Sequence, residues 1–368
     1  MQSAEAGPTS WYVRPYRPGD EAGLASLYAE AFGRERPVEV WRWKLMEREI
    51  SPAAVWVAAT HDDERIVGQY GGIPLRVRLR GEERPAVHAV EAMSARDFRR
   101  QGILTGLGEA AHGAWAAAGY AAVLGLPNEQ WGTRNYALGY RRVFPLAWLR
   151  FPLHAEHAVG EGGVLPGPLR KAAAVVAGAG SFVWRTLFRS IMNGRTGRTG
   201  VSVDQASGPD DFDRLWSRAS GGYENLVARG AEWVDWRFTR AATFSYKVLV
   251  ARKQGEPCGY IAYRLADRGA RVNGYIADVF MARNDPATTA ALLKSALDAL
   301  SARGASMVLA TAAPGSMLYR QLRGLGFLPT RKGTAFNFEI VPLQPDLEVA
   351  GLSDPRAWHI TAGDFDVV

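Results

Sequence analysis

Short apolar runs alternate with turn signals along the first half of the chain, and longer stretches of helical periodicity interrupt them. Apolar, β-branched and aromatic residues predict strands over 11–14, 53–59, 66–70 with 75–80, and 86–94. Between the first two, the spacing predicts a helix over 20–32 with Asp20 placed to cap it, then a short helix over 38–48. After Ser94 the chain breaks into a glycine-bearing turn and an Ala- and Leu-rich helix over 102–118, stopped by Gly119. A strand over 120–126, a helix over 128–138 and a strand over 141–151 close this half.

The second half repeats the plan: strands over 246–252, 257–265 and 274–281, then a helix over 286–302 with Pro286 in its first turn. A strand over 306–311 and a helix over 315–324 follow. The repeat is also visible in landmarks. Trp43-Lys44-Leu45 matches Trp236-Arg237-Phe238, Val67-Gly68 matches Cys258-Gly259, and Glu91-Ala92-Met93 matches Asp278-Val279-Phe280. Pro127 matches Pro314, and Leu138-Gly139-Tyr140 matches Leu325-Gly326-Phe327. The offsets are 193, 191 and three times 187 residues, a drift of the size that loop-length changes produce. Strands joined by crossover helices predict an α/β architecture in each half. The expected organisation is a first domain over 1–153, a linker over 154–200, a second domain over 201–345 and a tail over 346–368. Breakers at 160–163 and 166–168 precede a small-residue segment, 169–192, read as a connecting helix.

Composition narrows the classes. Hydrophobic residues make up 47% and charged residues 22% of 368, which describes a globular protein with a sizeable core. No apolar run approaches the ~18 residues of a membrane span, and the first residues lack a basic start with an apolar stretch, so no leader or membrane partner is expected. One cysteine, Cys258, fits a reducing cytoplasm and reads as a structural thiol. The net charge of +7 favours an anionic ligand. The arginines are scattered and no recognised binding module is present, so a nucleic-acid partner is not expected. His61, His112, His154, His157 and His359 show no metal-ligand spacing, and His88 reads as structural, so no metal is expected.

The candidate chemistry concentrates after residue 90. A strand that opens a helix through Arg99-Arg100-Gln101-Gly102-Ile103-Leu104-Thr105 leaves backbone N–H groups unpaired where the helix dipole favours negative charge, with Arg96, Arg99 and Arg100 around it. That is a cradle for a pyrophosphate or, equally, an ordinary turn with a basic rim. The counterpart in the second half, Ala282-Arg283-Asn284-Asp285-Pro286, has no glycine, loses a donor at Pro286 and carries Asp285 where an anion must sit.

This ordered set of strand, turn, helix, second strand, Pro127-Asn128 and Leu138-Gly139-Tyr140 resembles the GNAT superfamily of acyl-coenzyme A-dependent N-acyltransferases. The superfamily pattern Gln/Arg-x-x-Gly-x-Gly/Ala stands here as Arg99 to Leu104, departing at Leu104. Trp41-Arg42-Trp43-Lys44 adds a segment found in bacterial members. The resemblance implies two tandem GNAT-like domains, each a mixed, mostly antiparallel sheet flanked by helices. It implies acetyl-coenzyme A, or another acyl-coenzyme A, bound by the first domain. The backbone of Ala92, Met93 and Ser94 would hold the pantetheine and thioester, and amides across Arg99–Thr105 the pyrophosphate. Glu91, on that strand, either takes a proton from the acceptor amine, binds its ammonium form, or is a structural acid. Where many members have the tyrosine that protonates the departing thiolate stands Asn135, with Tyr136 beside it. Tyr136 is either that acid or a core residue, and Asn128 either bonds a ligand or caps the next helix. The expected reaction is acetyl transfer to the primary amine of a small metabolite. An aminoacyl-tRNA donor and a non-catalytic acyl-coenzyme A-binding role remain as alternatives.

Overall fold

The computed structural model describes residues 10–48, 53–127, 134–156, 167–197, 199–268, 271–282, 284–330 and 337–365. In chain order its first elements are β1 (Trp11–Pro15), α1 (Glu21–Phe32), α2 (Val38–Leu45), β2 (Val55–Thr60), β3 (Ile66–Leu79) and β4 (Glu82–Ser94). Next come α3 (Ile103–Ala117), β5 (Ala122–Gly125), β6 (Arg141–Pro145), β7 (Ala147–Pro152) and the long α4 (Gly167–Thr196). β8 (Val201–Gln205), α5 (Asp210–Ala219), β9 (Asn225–Val227), β10 (Lys247–Lys253), β11 (Glu256–Arg268) and β12 (Arg271–Met281) follow. The chain closes with α6 (Pro286–Ala302), β13 (Met307–Ala312), α7 (Met317–Gly324), β14 (Leu328–Pro329), β15 (Asn337–Pro342) and β16 (Trp358–His359).

These elements form two compact units. The first comprises Met1–Arg76, Glu83–Val143 and Phe338–Gly351; the second comprises Val77–Glu82, Phe144–Asn337 and Leu352–Val368. Each is a mixed sheet with helices, the α/β architecture expected in each half of the chain. In the first unit the strand order is β1-β2-β3-β4-β5-β15-β6, with β15 antiparallel to β5. In the second it is β14-β7-β13-β12-β11-β10-β8, with β7 antiparallel to β13. The single strand expected over 141–151 is therefore two strands, one in each sheet, and β15 comes to the first unit from the far end of the sequence.

Other expectations shift locally. The strand read in two pieces over 66–80 is one strand, β3, buried from Ile66 to Leu75. Asp20 precedes α1 but does not cap it; its carboxylate binds Arg14 at 2.7 Å and accepts from the Arg17 N–H. Of the helix expected over 128–138, residues 134–138 form a 3-10 turn, and 128–133 lie outside the described residues. α4 extends beyond 169–192 and packs on α6 and β7. Among the described residues no helix is long and apolar enough to cross a membrane, and no cluster of His, Cys, Asp and Glu has metal-binding geometry. Cys258 is half-buried, and burial raises its thiol above its ordinary pKa.

The first core is built on Val57, Val67, Val87, Leu107, Trp115 and Val123, all fully buried, each contributing about 1.5–3 kcal/mol. What sets α3 on the sheet is a missing side chain. A Cβ on Gly68 of β3 would come within 2.5 Å of Ile103 Cγ2, so this glycine lets the first turn of α3 lie directly on the strand. The second unit uses the same device: a Cβ on Gly259 would meet Thr288 of α6 at 2.7 Å.

Candidate active site

β4 and β5 run parallel and pair only at Ala86–Ala122, Val87–Val123 and His88–Leu124. Beyond His88 that ladder stops, while β4 runs on to Ser94. The two strands splay there, which leaves one edge of β4 through Ala92, Met93 and Ser94 without a neighbouring strand from β5. The Met93 side chain is buried and those of Ala92 and Ser94 are half-buried.

The chain then turns through a 3-10 segment, Arg96–Phe98, tied down by its neighbours. The Arg96 N–H donates to Glu30, Arg65 pairs with Asp97 at 2.9 Å, and Gln101 Nε2 donates to the Asp97 carbonyl at 3.2 Å. Arg100 and Gly102 both adopt left-handed backbone, at φ 65° and 84°. Such alternation turns successive N–H groups toward one side, a concave anion-binding arrangement. The first bond of α3 runs from the Gly106 N–H to the Gly102 carbonyl at 2.9 Å, so the N–H groups just before it have no helical acceptor. No side chain caps α3. Ile103 faces the core, whereas Arg99, Arg100, Gln101 and Gly102 are exposed and Leu104 and Thr105 half-exposed.

Glu91 sits at a break in β4, with φ at 53°, a strained value for a residue with a side chain. Its side chain is only 5% exposed. Lys44 binds one carboxylate oxygen at 2.9 Å and Arg36 the other. Gln69 Nε2 donates to the Glu91 carbonyl at 3.1 Å and to its carboxylate at 3.2 Å, while Gln69 Oε1 accepts from Trp41 Nε1. Burial alone would raise this carboxyl, but the charges of Lys44 and Arg36 outweigh it and hold the pKa below the ordinary value. The group is ionised and both its oxygens are engaged.

Tyr136 stands in the 3-10 turn Arg134–Leu138, 42% exposed, its hydroxyl accepting from Arg142 Nη2 at 3.2 Å. Asn128 lies outside the described residues. His88 is buried within β4, its Nδ1 facing the Leu124 carbonyl at 3.2 Å.

The structure adds residues that the sequence reading did not single out. Arg36 and Gln69 join Glu91 only because α2's approach and β3 converge on β4; no local motif marks them. The Tyr70 hydroxyl lies 2.8 Å from His112 Nε2 and 2.7 Å from the Tyr140 hydroxyl, all three buried. Burial lowers His112 to about 4, which keeps it neutral, and raises both phenols. This cluster joins α3 to β3 and to the aromatic of the Leu-Gly-Tyr step.

Residues 12–141 match the family model described as Acetyltransferase (GNAT) domain. No curated protein matches the sequence significantly. Among solved structures, a probable N-acyltransferase from Enterococcus faecalis is similar, at 16% identity and a TM-score of 0.62, covering 91% of this chain and 73% of that one. A GCN5-related N-acetyltransferase from Kribbella flavida aligns at 13% identity and a TM-score of 0.60, over 90% and 70% of the two chains. N-myristoyltransferase of Saccharomyces cerevisiae, solved with bound myristoyl-CoA, aligns at 14% identity and a TM-score of 0.59, over 92% and 85%. The chain thus shares a GNAT-like fold with these structures along most of its length.

Proposed function

We propose that this protein transfers an acetyl or other short acyl group from acyl-coenzyme A to the primary amine of a small metabolite, with one active site in the first unit. The observation that carries the reading is the splay of β4 from β5, after which the chain passes through the 3-10 segment Arg96–Phe98 into the uncapped, left-handed turn of Gly102. An extended pantetheine complements an unpaired strand edge, and a pyrophosphate complements free N–H groups at a helix start. In this reading the backbone of Ala92, Met93 and Ser94 holds the pantetheine and thioester. The amides of Arg99, Arg100, Gln101, Gly102, Ile103, Leu104 and Thr105 take the pyrophosphate, with Asn128 a further donor. The yeast relative's bound acyl-CoA supports an acyl-coenzyme A donor here. The single, unpaired cysteine fits a cytoplasmic enzyme.

The amine nitrogen attacks the thioester carbonyl, the C–S bond breaks, and the thiolate takes a proton from the Tyr136 hydroxyl. Tyr136 is restored by the proton that the acylated ammonium releases through water. A carboxylate held below its ordinary pKa by two cations is a weak base, so Glu91 acts here by positioning. It fixes Arg36, Lys44 and the break in β4 that aims the strand edge.

Calorimetric titration of acetyl-coenzyme A into the wild type and Gly102→Trp tests this. One molecule bound per chain, weakened about 100-fold or more in the variant by strain at φ 84° and a filled cradle, is the expected result. No binding to a folded wild type overturns the acetyl donor and brings longer acyl groups or aminoacyl-tRNA forward.

A further inference from the structure

The second unit has the same splay. β12 and β13 pair in parallel at Asn273–Met307, Gly274–Val308 and Tyr275–Leu309, after which β12 runs on to Met281 paired with β11 but no longer with β13. The register against β11 slips between Asp278 and Ile276, so β12 breaks beside its acid as β4 does at Glu91. The anchoring residues are repeated too. Arg229 stands 193 residues after Arg36, Tyr260 191 after Gln69, and Asp278 187 after Glu91, the offsets of the sequence landmarks. Arg229 Nε binds Asp278 at 3.0 Å, and the Tyr260 hydroxyl donates to the same carboxylate at 2.5 Å.

What differs is what fills the cleft. The 3-10 turn Ala362–Asp364 packs against both β12 and β13. A Cβ on Gly363 would lie 3.1 Å from the Ala277 carbonyl and 3.2 Å from Asp278 Cβ, so the turn touches the broken strand with no space for another chain or ligand. His359 Nε2 donates to the Val279 carbonyl at 2.8 Å; Val279 is the counterpart of Ala92. Thr361 donates to Asp278 at 2.9 Å, and Asp364 binds the far side of Arg229 at 2.8 Å. The helix end of the cleft is closed independently. Asp285 caps α6, its carboxylate accepting from the Thr288 N–H at 3.0 Å and from Lys253 at 2.8 Å.

We infer that the second unit is a donor cleft permanently occupied by the protein itself. The segment His359–Asp364 lies where a pantetheine would lie, and the Asp285 carboxylate stands at the helix start where a pyrophosphate would stand. The assignment of those two positions rests on the reading of the first unit. The second unit accordingly takes no acyl-coenzyme A, and its cleft has become core.

Hydrogen exchange measured by mass spectrometry tests this on the full chain. Saturating acetyl-coenzyme A should slow exchange in the peptide spanning 89–94 and leave the peptide spanning 276–281 unchanged. Slowing in both overturns the inference while sparing the proposed function; slowing in neither overturns the donor site and leaves the second arm to decide. That arm is a chain ended at Ala357, in which exchange over 276–281 should accelerate about tenfold or more, the scale of losing a charged buried hydrogen bond. If that chain does not fold, the double substitution Thr361→Val with Asp364→Asn should give the same acceleration over 276–281. Unchanged exchange there, in whichever variant folds, overturns the inference.

Discussion

The two units hold the same acid–arginine pair and surround it differently. In the first, the carboxylate is the shared member: Glu91 is bound by Arg36, Lys44 and Gln69. In the second, the arginine is shared: Arg229, fully buried, lies between Asp278 and Asp364. Burial works against Asp278, yet Arg229 holds its pKa below the ordinary value. Asp364, buried and facing Asp278's charge as well as Arg229, is pushed up to about 6. Because the pair persists in a unit whose helix start carries its own aspartate, the pair serves the fold of the broken strand, and only its surroundings track the ligand. The largest expected effect follows from this asymmetry. Arg229→Leu strands two buried carboxylates and should cost about 3–5 kcal/mol in urea unfolding. Arg36→Leu leaves Glu91 with Lys44 and Gln69 and should cost roughly half as much. Equal costs would remove the distinction between the two clusters.

Acid sharpens the comparison next. His112 in the first unit is lowered to about 4 and His359 in the second to about 3, burial being the main cause in both. Each stays neutral in the folded chain while the unfolded chain takes up its proton near 6.5. Their stabilisation is therefore complete above that pH and is lost as the pH falls toward the folded values. In the second unit Asp364 works the other way. Its raised pKa means the folded state binds a proton first, so stability rises as the pH falls from about 6 toward the unfolded value. Glu339, raised by burial, opposes His112 in the first unit in the same sense. The His112 contribution is about 3 kcal/mol at most. His112→Gln should flatten the loss of stability between pH 6.5 and 4, read as the urea midpoint across that range. An unchanged slope would mean that His112 does not stay neutral in the folded unit.

Much of this was legible in the sequence because local chemistry wrote it. Gly102 had to turn the chain left-handed into a helix, Pro286 had to start one, and the paired tryptophans and Leu-Gly-aromatic steps marked the repeat. What was not legible depends on contacts between segments far apart in sequence. Nothing near residue 340 says that β15 pairs with β5, because an isolated apolar strand carries no address for its partner. Nothing in 358–365 marks a cleft filler, since His359, Thr361 and Asp364 gain meaning only opposite Val279, Asp278 and Arg229. At the candidate site the same divide holds: the left-handed turn follows from Gly102 itself, whereas the state of Glu91 depends on Arg36 and Gln69, which reach it from the approach to α2 and from β3.

The smallest effect separates the two closures of the second unit. Asp285 does for α6 what a bound anion would do for α3, satisfying an N–H of the first turn and placing negative charge at the positive end of the helix. Burial opposes this charge, but Lys253 and the Thr288 amide and hydroxyl hold its pKa below the ordinary value, so it is ionised at neutral pH. Asp285→Ala should therefore cost about 1 kcal/mol, the usual worth of such a cap, seen as a small fall in the urea midpoint. It should leave the acetyl-coenzyme A stoichiometry at one per chain, because the turn at Gly363 still fills the rest of the cleft. A second molecule bound by this variant would mean that the aspartate alone keeps the cleft closed, and that the C-terminal turn yields to a ligand once the helix start is free.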